Sequence, residues 1–255
     1  MAAVIAAHKP MVPKASHAPW VRLAHWTIAA SVLTLVFSGF EILMVHPRLY
    51  WGKAGNDLTP ALLELPISRN YKHGGWAPPL TFFPGPKPVI SAARTYDIFN
   101  HNGWGRSLHF LAAWFLVVTG LMYLVAGAAG GHLWRHIVPG LRELSPRLLW
   151  RDIVAHARVP MPRARGGPPY GLLQKLSYAG VVFLALPLMV LTGLTMSPAV
   201  TAAYPPLLDL FGGSQSARTI HFFVFVVLML FLIVHVAMVA LTGFKRQMGA
   251  MTIGE

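Results

Sequence analysis

The stretch ARTIHFFVFVVLMLFLIVHVAMVALTGFKR, residues 217–246, decides how the rest of the chain is read. Between Arg218 and Lys245 it carries no charged residue, and it exceeds the roughly 20 helical residues needed to cross a bilayer core. Inside it stand two histidines, His221 and His235. An ionisable residue within a membrane is costly and by default functional. Their spacing of 14 residues corresponds to about 1400° of helical rotation, within roughly 40° of whole turns, and to about 21 Å of rise. One helix therefore presents two imidazoles on one face, near opposite sides of the membrane.

The remainder of the chain supplies what such a helix would pack against. Hydrophobic residues make up 55% of the 255 and charged residues only 11%, well under the roughly 25% charged of soluble domains. The expected fold is an all-α integral membrane protein, a four-transmembrane-helix bundle in one domain over 1–255. Its spans are placed at about 22–45, 106–128, 174–197 and 218–244. Pro187 falls inside the third, where neighbouring helices can re-satisfy the freed carbonyl. The opening MAAVIAAHKPMVPK has too short an apolar run for a cleavable leader, so the first span is expected to target the chain and remain.

Basic residues set the orientation. Eight lie between Arg135 and Lys175, with Lys9, Lys14, Arg22, Lys245 and Arg246 on the same side. The other side also carries eight, but seven are spread along about 60 residues, where the positive-inside rule loses force. Both termini are thus expected in the cytoplasm of a bacterium, with a large periplasmic loop at 46–105 and a cytoplasmic loop at 129–173. Within the latter, SPRLLWRDIVAHARVP reads as an amphipathic helix on the inner leaflet. The net charge of +13 reads as topology and lipid-headgroup contact, with no nucleic-acid partner. The absence of cysteine excludes thiolate-held iron–sulfur clusters and covalent haem through C-x-x-C-H. Eight acidic residues form no carboxylate pair, nucleophile triad or phosphate loop.

Each histidine of the last span has a counterpart at its own depth. The second span runs inward, so His109 at its start lies opposite His221. The first runs outward, so His25 lies opposite His235. Two histidines from facing helices at each of two levels is the layout of two bis-histidine b haems stacked in a bundle. Neutral imidazole is a common metal ligand, and two of them leave the iron no open position, which favours electron transfer over catalysis at the metal.

The sequences VRLAHW (21–26), GRSLHF (105–110) and ARTIHF (217–222) repeat Arg-x-x-His-aromatic. Arg22, Arg106 and Arg218 would then sit one turn before a ligand, at headgroup level, where a planar guanidinium can pair haem propionates or lipid phosphates. His235 is ten residues from Lys245 whereas His25 is three from Arg22, a mismatch to be absorbed by tilt or an overhanging helix end. Gly39, 14 residues after His25, should reach the outer level and make room for a porphyrin. A faint repeat, FSGF (37–40), VTGL (118–121), LTGL (191–194) and LTGF (241–244), has two readings: close helix packing or close approach of a flat ligand.

The order R-x-x-H-W, R-x-x-H, Q-K and His-x13-His along the four spans resembles the di-haem cytochrome b subunits of membrane-bound formate dehydrogenases, nickel–iron hydrogenases and thiosulfate reductases. The outer HPRLYWG, 46–52, is most similar to the thiosulfate-reductase-type branch. The resemblance implies a periplasmic oxidoreductase partner, of the molybdenum class among others, docking on loop 46–105. It also implies a quinone that reacts beside the inner haem. In the formate dehydrogenase branch the quinone segment reads Tyr-Asn-x-x-Gln-Lys. Here it is YGLLQK, which retains Tyr170, Gln174 and Lys175 with Gly171 in place of Asn. A helix start anchored among headgroups is the alternative reading of Gln174 and Lys175.

Two other functions compete. A transporter or channel could relay protons through the intramembrane histidines, and would bind no haem. A stand-alone ferric reductase would pass quinol electrons directly to external iron, with no docked enzyme. In the favoured reading the chain is an electron-transfer subunit that does not itself act on an external substrate.

Overall fold

The computed structural model describes residues 17–55, 59–67, 102–140, 143–157 and 171–254. Tyr170, residues 68–101 of the outer loop and residues 158–170 before the third span lie outside that set.

Four helices are long and apolar enough to span a membrane. The first, α1, covers Pro19–Val45. It starts on a proline, whose missing N–H costs nothing in a helix's first turn. Two short strands follow, β1 (Arg48–Leu49) and β2 (Leu63–Glu64), antiparallel with Arg48 opposite Glu64 and Leu49 opposite Leu63. The second span, α2, is Asn102–Ala129. On the expected cytoplasmic side come α3 (His132–His136) and α4 (Pro146–Ala157), the latter within the stretch read as amphipathic. The third span joins α5 (Leu172–Gly180), a wide π turn (Val181–Ala185) and α6 (Leu186–Thr195). Two short outer helices, α7 (Pro198–Ala203) and α8 (Pro206–Phe211), lead to α9, Ser214–Thr252.

The pattern of burial is that of a protein turned toward lipid. Leu23, Trp114, Val125, Val227 and Leu241 point outward, while Ser31, Ser38, Glu41, Thr192, Thr195, Ser216 and Thr219 are buried. Small and hydroxyl side chains let apolar helices approach closely, and in hydrocarbon that contact replaces the hydrophobic drive.

Three local features differ from a straight four-rod picture. The π turn ends where Leu186 N bonds to the carbonyl of Val181, five residues back. It stands just before Pro187, which has no N–H to give, so the wide turn reorganises the ladder where the proline would otherwise break it. The last helix outruns its expected end at 244, and its axis breaks at Gly243, where φ is 121° and ψ is 81°. Only glycine adopts that conformation readily. Beyond the break the chain returns to α1, and Trp26 Nε1 donates to the carbonyl of Met251 at 2.9 Å.

At the opposite end, the turn after β1 seals the start of α9. The carbonyl of Gly52 accepts from the backbone of Gln215 and Ser216 at 3.1 and 3.2 Å, and Ser216 Oγ accepts from Gly52 N at 2.7 Å. Thr219 Oγ1 donates to the carbonyl of Tyr50 at 2.6 Å. The N–H groups that a helix start leaves unpaired are thus met by another part of the chain. Gly213 allows the approach, since a Cβ there would collide with the Gly52 backbone. The helix carrying two of the four candidate ligands is therefore clamped at its outer end.

Candidate functional site

The structure brings the four intramembrane histidines together as two pairs. His109 on α2 and His221 on α9 face each other with ring centroids 6.4 Å apart and planes at 54°. His25 on α1 and His235 on α9 do the same at 6.4 Å and 48°. A first-row metal holds an imidazole nitrogen at about 2 Å. Two such bonds plus the half-width of two five-membered rings come to roughly 6 Å, the separation found at both levels. Among the described residues no three His, Cys, Asp or Glu side chains converge on one point. A metal at either level would meet two protein nitrogens and would need its other ligands from its own macrocycle. The donor set fits a haem.

The outer pair is held by hydroxyls. Ser38 Oγ donates to the carbonyl of Thr34 at 2.7 Å, so toward His109 Nδ1, 3.0 Å away, its oxygen is left to accept. Thr192 repeats the arrangement on α6, donating to the carbonyl of Leu188 at 2.7 Å and lying 2.9 Å from His221 Nδ1. With those hydroxyl protons on the helix carbonyls, each ring would carry its proton on Nδ1 and leave the Nε2 lone pair for a metal.

The neighbouring glycines complete the arrangement. A Cβ on Gly39 would lie 3.3 Å from His109 Cε1, and one on Gly193 would lie 3.6 Å from His221 Cε1. Gly39 is the residue expected to clear space for a porphyrin, and the side chain nearest the space it leaves is the His109 imidazole. Two copies of the Ser/Thr-Gly repeat are therefore seats for histidines, a role the sequence carried but packing statistics concealed. The third span, which has no histidine, contributes through Thr192 and Gly193.

The inner pair is held by rings. Phe231 stacks on His235 at 5.8 Å and 20°, and Tyr178 meets Phe231 edge-on at 6.1 Å. Trp26 meets His25 edge-on at 5.2 Å and 89°. Among the described residues no hydroxyl reaches His25 Nδ1, which is buried without a hydrogen-bond partner. The two levels thus have the same spacing and different supports.

The arginines divide into three cases. Arg22, one turn before His25, has a buried Nη1 with no partner among the described residues, which suits an anionic group arriving from the bundle. Arg106 is exposed at the start of α2. Arg218 Nη2 donates to the carbonyl of His46, so part of its guanidinium ties α9 to the outer loop.

At the start of the third span, Lys175 is buried and its Nζ lies 2.8 and 3.0 Å from the two carboxylate oxygens of Glu143. That hydrogen bond is the main reason the Glu143 carboxyl titrates below the ordinary glutamate range. Gln174 bonds within its own turn, accepting from Gly171 N at 3.4 Å and pairing with the Tyr178 side chain. Asp152 of α4 accepts from Leu173 N at 2.7 Å, and a Cβ on Gly171 would come within 2.8 Å of that carboxylate. A helix N-terminus favours such an anion. Glycine at 171, where the resembling branch has Asn, leaves room for a cap supplied by another helix.

A family profile described as "Prokaryotic cytochrome b561" matches residues 16–254. The chain is also 30% identical over 241 residues, 94% of its own length and 97% of the relative's, to a protein of Azospira oryzae named "Putative protein-methionine-sulfoxide reductase subunit YedZ1". No solved structure matches it.

Proposed function

The chain belongs to the prokaryotic cytochrome b561 family, haem-b electron-transfer subunits of the bacterial inner membrane, and from that premise we propose that it conducts electrons between quinone and a periplasmic oxidoreductase through two haems. His109 and His221 would hold the outer haem, His25 and His235 the inner one. Haem, when bound, would supply a one-electron carrier, and the two imidazoles at each level would leave its iron no open position for substrate.

The protein's part is to fix those imidazoles and keep water from them. Ser38 and Thr192 orient the outer pair. Phe231 and Trp26 wedge the inner pair. Arg22, Arg106 and Arg218 lie near the ends of the bundle, where propionates meet water. The resemblance would put Tyr170, Gln174 and Lys175 at the quinone, but the Glu143 carboxylate already answers the charge of Lys175 and Gln174 bonds within its own turn, which weighs against that segment as the headgroup site. With basic residues counted by side, both termini would face the cytoplasm, and loop 46–105 would receive the partner. The relative's name, a reductase subunit, supports electrons leaving quinol for an outer acceptor.

The single observation that carries this reading is the equal separation, 6.4 Å, of two imidazole pairs on helix positions 14 residues apart. The test is haem quantitation with redox-titrated spectra on the purified protein. Two b-type centres are expected. A single centre, or none after haem-replete expression, contradicts the proposal.

A further inference from the structure

Beside the inner level is a group of rings that electron transfer between haems does not use. The chain leaves α2 at Ala129, turns at Gly130 and Gly131, and folds α3 back against α2. Leu133 packs on Gly127, where a Cβ would lie 3.0 Å from Leu133 Cγ, so the fold-back depends on the absence of a side chain there. It brings His132 to Trp20 of α1 (centroids 5.5 Å, edge-on) and to Tyr123 of α2 (6.0 Å, edge-on). Trp20 and Tyr123 are 5.7 Å apart, and His136 lies 4.8 Å from His132.

The depth of this nest follows from helix arithmetic. Tyr123 is 14 residues after His109, the interval that separates His221 from His235. It therefore lies on nearly the same face of α2 as His109, about 21 Å further along, at the level of the inner pair. Trp20 precedes His25 by five residues, about 7.5 Å toward the inner surface. His132 meets Trp20 and Tyr123 edge-on and Trp20 is tilted at 44° to Tyr123, contacts that leave the phenol hydroxyl and an imidazole nitrogen for a ligand. Trp20 is 38% exposed, so an aromatic face is open to whatever arrives from the lipid.

We propose that Trp20, Tyr123 and His132 form the binding site for the quinone headgroup, between α1 and α2 and distinct from the Gln174–Lys175 segment. This rests on the proposed quinone link. A flat ring with two opposed oxygens suits an aromatic face flanked by a phenol and an imidazole, and an isoprenoid tail suits the lipid-facing side of α2. At the Gln174–Lys175 segment, by contrast, Lys175 Nζ is committed to Glu143 and the Gln174 amide to Tyr178, with its Oε1 accepting from Gly171 N. Oxidising one quinol breaks both O–H bonds. Its two electrons would leave one at a time to a one-electron carrier held by His25 and His235, and its two protons would go to water at the inner surface. Burial, then His136, His17 and Arg135, hold His132 below the ordinary histidine range, so a neutral imidazole stands where the first proton leaves.

The test uses the full haem-loaded chain in detergent and two probes, a short-chain ubiquinone analogue and a short-chain naphthoquinone. Affinity is read by equilibrium binding and haem reduction by absorbance after mixing with the quinols. Losing one hydrogen bond weakens binding roughly five- to tenfold. Tyr123→Phe and His132→Ala should each weaken the better probe by that factor, with haem content and midpoint potentials unchanged. If affinity survives Tyr123→Phe and His132→Ala but falls in Gln174→Ala or Lys175→Gln, the quinone reading stands and this site is wrong. If the parent binds neither probe and neither quinol reduces its haem, the quinone link itself fails and the site with it.

Discussion

Ser38 and Thr192 are counterparts across the bundle. Each is fully buried, each gives its proton to the carbonyl four residues before it, and each lies within 3.0 Å of the Nδ1 of a histidine on the facing helix. The first and third spans thereby play the same part toward the second and fourth.

Removing those hydroxyls should be felt at the outer centre alone. A partner that accepts the second ring proton makes an imidazole a stronger donor to iron, and its loss typically costs 10–100-fold in metal affinity. Ser38→Ala and Thr192→Val should each weaken haem retention at the outer level and raise its midpoint potential, because a poorer donor favours the ferrous state. The inner potential should not move. Redox-titrated spectra of the two variants against the parent decide it.

Gly39 supports a steric prediction. A Cβ at 3.3 Å from His109 Cε1 is tight, and a valine adds two methyl groups to it. Gly39→Val should push the imidazole off its seat and leave close to half the parent's haem, with the remaining centre showing the inner potential. Loss of both centres in equal measure would instead mean a folding defect.

Gly243→Ala probes the bend of the last helix. Holding a residue with a Cβ at φ 121° costs about 1–3 kcal/mol, so the helix should straighten and release the Trp26–Met251 hydrogen bond. A lower thermal midpoint and a red-shifted Trp26 emission, read with Trp26→Phe as the blank, are the expected outcomes.

Acid should loosen the junction between the inner loop and the third span. Glu143 titrates below its unfolded value because Lys175 binds the carboxylate. Its contribution is therefore present above the ordinary glutamate pKa, about 4.3, and is lost as pH falls through the lower folded value. Amide exchange at the start of α5, corrected for intrinsic rates, should rise across that acidic window in the parent. In Glu143→Gln it should be high already at pH 7 and insensitive to further acid.

Much of this was legible in the sequence. The interval from His221 to His235 places two rings on one face, and the directions of the spans then pair His109 and His25 with them; both pairs meet in the structure. The hydroxyl seats were less legible. FSGF and LTGL look like helix packing because a small residue beside a serine or threonine is common there, and only the facing helix distinguishes a seat from a seam. Gly243 belongs to the same repeat and serves as a bend, for which no local signal exists. The pairing of Lys175 with Glu143 and the capping of Leu173 by Asp152 join residues 32 and 21 positions apart, through a loop whose path no periodicity dictates. The gathering of His132 and His136 beside Trp20 could not be read locally, since the fold-back at Gly127 that brings it about depends on a glycine with no distinguishing neighbours.

Replacement of His221 and His235, singly and together, with haem counted per chain, tests the central claim most directly. Each single variant should lose one b-type centre and keep the other at its own potential, and the double variant should lose both. Two haems per chain in the double variant would contradict the assignment of the last helix as the shared support of both centres.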